Sequence, residues 1–204
     1  MKNLKSKINR WLALRKVVTK GFTMIELLIV IAVLGILAVA VLATFNPIEQ
    51  INRGRDTGSR SDSEQLLSAI DRYNANRGLW PWQDTDTEED AISDLTLITE
   101  DVPAGSTCSM LDNLGAERNP ACPGTDEIKA SFIARLTSTR ANDLYIYYGG
   151  DSGDSVYICF NPQSKAFSQE ADARCDNAPI DFPSAVCGSC PESLGDNLNC
   201  ICLP

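Results

Sequence analysis

The chain has 204 residues, no histidine, eight cysteines and a formal net charge of -9. That length suits one modest globular domain plus an anchoring segment. The lack of histidine excludes Ser-His-Asp triads, histidine general bases and histidine metal sites. The acidic balance argues against phosphate-backbone binding, so no direct nucleic-acid partner is expected.

The charge is unevenly placed. Residues 1–21 hold seven bases (Lys2, Lys5, Lys7, Arg10, Arg15, Lys16, Lys20) and no acid. Taking those seven from the 18 bases leaves 11 against 27 acids in the remainder. From Phe22 to Phe45 the sequence is apolar, interrupted only by Thr23, Glu26 and Thr44. As a helix, such a run spans roughly 30 Å of hydrocarbon. The preceding bases predict a cytosolic leader and an exported body.

Three readings of this segment compete. A removable secretory signal has a shorter apolar region, with its cleavage site after it. Here Ala38-Val39-Ala40, the fitting pattern, lies inside the run. A plain membrane anchor leaves Glu26 unexplained, because a carboxylate central in a span costs about 2.5–3.5 kcal/mol. The third reading rests on the ten residues Lys20-Gly21-Phe22-Thr23-Met24-Ile25-Glu26-Leu27-Leu28-Ile29.

This stretch closely resembles the prepilin processing motif of type IV pilins and pseudopilins. The resemblance implies that a membrane-embedded prepilin peptidase cuts between Gly21 and Phe22 and methylates the new amine. It makes Glu26 the fifth mature residue and an assembly determinant. In a dry filament core, Glu26 of one subunit can face the amine of its neighbour, where opposite charges attract strongly. A glycine before the cut lets an extended backbone approach the protease closely. The leader of 21 residues is long beside those of many such pilins. The implied partners are the peptidase/methylase, other copies of the chain and related pilins, an inner-membrane assembly platform with its ATPase, and membrane lipid before assembly.

Further along, Pro47 predicts a kink, followed by more helix to about Asn76, with Gly78 as the C-cap. Leu66, Leu67, Ile70 and Tyr73 form one apolar stripe. The polar stretch 52–65, containing Gly54 and Gly58, is either a solvated helix face or a weak point that unwinds. Trp80 and Trp82 either pin a loop to the helix or offer a binding platform.

Residues 84–127 resemble an irregular insert, with an acidic run over 84–90 and a short strand or helical turn over Asp94–Thr99. A Cys108–Cys122 bridge is expected there. Glu127–Thr139 is amphipathic and predicts a helix. Leu144–Tyr148 and Ser155–Phe160 predict a hairpin, and its acidic loop 149–154 is read as a turn or a calcium site.

The eight cysteines (Cys108, Cys122, Cys159, Cys175, Cys187, Cys190, Cys200, Cys202) lie in an exported region, which favours disulfides. If Asn199–Leu203 is a strand, Cys200 and Cys202 share a face and suit Cys190 and Cys187 as partners. Cys159 with Cys175 completes four bridges. A four-thiolate zinc site or a redox pair in the tail are the alternatives; no cofactor is expected.

The expected organisation is a basic leader (1–21), an apolar transmembrane or filament-core helix (22–45), its continuation (46–78) and an exported globular domain (79–204). The fold class is α+β: a long N-terminal helix packed on a small antiparallel sheet, with a disulfide-rich C-terminal region. No nucleotide loop, lipase elbow or metalloprotease motif is present, so the chain reads as an enzyme's substrate rather than an enzyme. The resemblance implies a major or minor subunit of a type IV pilus-like surface filament, anchored in the cytoplasmic membrane before assembly. The alternatives are a pseudopilin of a type II secretion or competence DNA-uptake machine, a tip-located adhesin, and a plain anchored exterior domain.

Overall fold

The computed structural model describes residues 21–44, 46–83, 91–99, 108–115, 122, 124–138, 143–151, 153–188, 190–191 and 199–204. The expected acidic run 84–90 and all of the leader except Gly21 lie outside them. The chain divides into two units, Met1–Asn46 and Pro47–Pro204.

In the first unit, helix α1 spans Met24–Thr44 and buries no residue. In the second, helix α2 spans Pro47–Arg77. The expected kink is instead a helix end at Thr44 and a fresh start at Pro47. Proline disfavours helical backbone in the residue before it, and its missing N–H costs nothing at the first position of a new helix. Gly78 ends α2 with φ of +73°, its N–H donating to the Asn74 carbonyl at 2.7 Å. That left-handed conformation is the usual glycine C-cap.

The sheet has four antiparallel strands in the order β1 (Ile92–Leu97), β2 (Leu144–Tyr148), β3 (Tyr157–Phe160), β4 (Ile201–Leu203). Alternation along the strands sorts side chains to two faces. Leu144, Ile146, Tyr148, Ile158, Phe160, Ile201 and Leu203 join the apolar stripe of α2 in the main core. Leu66, Ile70, Ile146 and Ile158 are fully buried, and burying such a side chain is worth about 1.5–3 kcal/mol. Tyr145, Tyr157, Cys159 and Cys202 face a second cluster with Phe182, Val186, Cys190 and Cys200. The α+β class holds.

The polar half of α2 is a docked face. Helix α5 (Lys165–Asp176), which the sequence reading did not anticipate, lies against it. Asp56 is fully buried and accepts from the backbone N–H groups of Gln163 (2.9 Å) and Ser164 (2.8 Å) and from the Ser164 hydroxyl (2.5 Å). Ser164 is in turn the N-cap of α5. Glu49 accepts from the Lys165 N–H, and Asn52 donates to the Gln163 carbonyl. Arg60 pairs with Glu170 and lies 4.7 Å over the Phe167 ring. Gly54 and Gly58 sit within an unbroken helix, on its open side.

Two further short α-helices lie among the described residues of the unit. Helix α3 (Met110–Leu114) carries a capping box from Ser109 and Asp112. Helix α4 spans only Ala130–Leu136 rather than Glu127–Thr139. Glu127 is committed to Arg72 at 2.8 Å, and Ile128 bridges Gly115. Strand β3 likewise starts later than expected, because the Ser155 N–H is taken by Asp181. Burial and Asp181 together push the Tyr157 phenol up to about 12. Trp80 and Trp82 stack at 5.2 Å, and both lean on Tyr148, so they pin the loop after α2. In the hairpin loop the Asp154 carboxylate accepts from the Asp151 N–H, closing a turn.

All eight cysteines are paired: Cys108–Cys122, Cys159–Cys202, Cys175–Cys187 and Cys190–Cys200. Two expected pairings, Cys159 with Cys175 and Cys187 with Cys202, are replaced. Strand β4 lies beside β3 with Cys202 directly opposite Cys159, and Cys175, at the end of α5, reaches Cys187 instead. With every cysteine in a disulfide, no thiolate is left for zinc in the tail.

Candidate processing and assembly site

Gly21, Phe22 and Thr23 precede α1 as exposed, non-helical backbone. Phe22 is 82% exposed. The first helical bond runs from the Leu27 N–H to the Thr23 carbonyl, which makes Thr23 the N-cap and Glu26 the third helical residue. Three bonds join the two. The Thr23 N–H donates to Glu26 Oε2 at 2.9 Å, and its hydroxyl donates to the same oxygen at 2.7 Å. The Glu26 N–H donates back to Thr23 Oγ1 at 3.2 Å. This is a capping box, in which two orphan donors of a helix start satisfy each other's side chains. An acid in the first turn also suits the positive end of the helix dipole.

Glu26 therefore has a place in the cap as well as the expected charge-pairing role. The signal was present, since Thr23-x-x-Glu26 before an apolar run is the capping-box pattern. Gly21, Phe22 and Glu26 lie within six consecutive residues that straddle the start of α1. The cysteines all lie in the other unit.

Beyond Glu26, α1 displays apolar side chains all round. Leu28, Ile31, Leu34, Ile36, Val39 and Leu42 are each more than half exposed. Its 21 residues give a length of about 31 Å, close to the hydrocarbon thickness of a bilayer. It is long and apolar enough to cross a membrane. Exposed apolar surface on this scale calls for lipid or other helices as its cover.

One comparison falls on this same segment. The family model described as the prokaryotic N-terminal methylation motif matches residues 18–42. By this segment the chain is similar to the type IV pilins. The type IV major pilin protein PilE of Neisseria gonorrhoeae is 39% identical over 66 residues, 32% of this chain and 38% of that protein. The fimbrial protein EcpC of Eikenella corrodens is 36% identical over 66 residues, 32% of this chain and 42% of EcpC. A fimbrial protein of Neisseria meningitidis serogroup B is 39% identical over 66 residues, with 38% of it covered. The alignments thus span about two fifths of each relative's length. No solved structure matches.

Proposed function

We propose that this chain is the precursor of a pilin subunit of a type IV pilus. The observation that carries the reading is the methylation motif over residues 18–42, running into an apolar helix with Glu26 in its first turn. In this reading residues 1–21 are a leader, removed by a prepilin peptidase that cuts between Gly21 and Phe22. Residues 22–45 anchor the precursor in the cytoplasmic membrane and later form the filament core. Residues 79–204, with the helix before them, are exported and displayed on the cell surface.

Lipid already covers α1 before assembly, so the hydrophobic effect gains little on moving into a filament. Close helix packing and one charge pair remain. The new Phe22 amine of one subunit and Glu26 of its neighbour attract strongly in a water-free core and so fix the axial register. Extraction from lipid needs work from an assembly platform and its ATPase. The relatives are named as a major pilin and as fimbrial proteins, which favours a pilus over a secretion or DNA-uptake pseudopilus. A structural role without catalysis follows from the same reading.

Glu26→Gln tests it, because glutamine keeps the side-chain shape but removes the charge. The expected result is a chain still present in the membrane, with sheared filaments reduced at least ~10-fold, the factor for losing about 1.4 kcal/mol of pairing. Filaments at normal yield would contradict the charge-pairing role.

A further inference from the structure

We propose that Thr23 is a positioning residue for processing: with Glu26 it starts α1 at Met24 and so holds the Gly21–Phe22 peptide outside the helix, where a peptidase can engage it. This deepens the pilin-precursor reading and rests on it.

Two N–H groups that a longer helix would need are already in use. In a helix, each N–H donates to the carbonyl four residues back, so a helical peptide bond has both polar groups occupied. A helix continued through the cleavage point would send the Thr23 N–H to the carbonyl of Thr19 and the Glu26 N–H to that of Phe22. Both donors are committed elsewhere. The Thr23 N–H is on the Glu26 carboxylate at 2.9 Å, and the Glu26 N–H is on the Thr23 hydroxyl at 3.2 Å. The capping box therefore takes the very donors that a longer helix would use.

Little else stops α1 from growing backwards. Phe22 is no helix breaker, and upstream the sequence contains Leu12-Ala13-Leu14-Arg15-Lys16, all good helix formers. Gly21 disfavours helix by about as much as one cap favours a boundary. Glycine and cap lie on either side of Phe22, and residues 21–23 stay non-helical and exposed between the two helix-favouring stretches. Thr23 thus has a part in specificity without touching the reacting atoms.

The test is the initial rate of cleavage of full-length precursor in proteoliposomes containing a prepilin peptidase. Thr23→Val keeps the side-chain shape and removes the hydroxyl. Its kcat/KM is expected to fall about fivefold, the equilibrium factor for a typical N-cap. Thr23→Ser should restore most of that loss. Amide hydrogen exchange of the full chain in detergent micelles reads the cap directly: Phe22 and Thr23 should become more protected in Thr23→Val as helix spreads back over them. A wild type cut between Gly21 and Phe22, with Thr23→Val cut as fast and exchanging alike, overturns this inference alone. A wild-type precursor not cut there at all overturns the reading beneath it as well.

Discussion

Replacing Asp56 with alanine is expected to destabilise the 47–204 unit by about 3 kcal/mol, as the two charge-assisted hydrogen bonds from buried Ser164, about 1.5 kcal/mol each, are lost without replacement. The Asp56 carboxylate is fully buried between α2 and α5. It accepts three hydrogen bonds from Gln163 and Ser164. Gln163 is exposed, so its N–H can return to water, whereas Ser164 is fully buried and stays unsatisfied. The cap of α5 weakens at the same time, because Ser164 loses the contact that orients it. Asp56→Asn retains an acceptor oxygen and should cost about half as much. Asn52→Ala, on the exposed rim of the same seam, should stay within about 0.5 kcal/mol. Denaturant unfolding of the detergent-solubilised chain measures all three, with the buried Trp82 as fluorescent reporter. A loss below about 1 kcal/mol for Asp56→Ala would show that the seam is not held through this carboxylate.

Removing the Cys159–Cys202 bridge as a double alanine variant is expected to cost about 4 kcal/mol. The two residues are 43 apart in sequence, and in the chain-entropy model stabilisation grows with the loop that is closed. The Cys190–Cys200 bridge closes a separation of 10, which corresponds to about 2.7 kcal/mol. Position strengthens the contrast. Strand β4 has three residues and lies at the edge of the sheet. Its staple to β3 joins directly opposed residues, and Arg174 of α5 donates to the Cys202 carbonyl at 2.6 Å. Without the bridge, β4 should detach first, and limited proteolysis should clip the C-terminal segment before the core. If the Cys190 and Cys200 pair proves the more costly to remove, the staple is not where this account places it.

Much of this fold is legible in local patterns. The stripe Leu66, Leu67, Ile70 and Tyr73 marks the buried face of α2, and Gly78 marks its end. The strand-forming residues around the 149–154 turn mark the central hairpin. Cys108 and Cys122 are near enough in sequence for their pairing to follow from loop length. What escapes is long-range. Asp56 resembles one more solvated acid in a polar stretch, because its partners lie 107 and 108 residues away. Their approach depends on α5 docking. Cys190–Cys200 follows the expected pairing, whereas Cys159–Cys202 depends on β4 inserting beside β3, which spacing along the chain cannot encode. At the N-terminus the capping signal of Thr23 and Glu26 is local and legible, but the charge on Glu26 points equally to pairing with a neighbouring subunit.

The central claim is that this chain is cut between Gly21 and Phe22 and then assembled outside the cell. Intact-mass and N-terminal-peptide mass spectrometry on material sheared from cells tests it most directly. The account predicts a chain that begins at Phe22, with or without one methyl group on its amine, and retains four disulfides. A chain still bearing residues 1–21, found only in the membrane fraction, would contradict it and leave an anchored exterior domain.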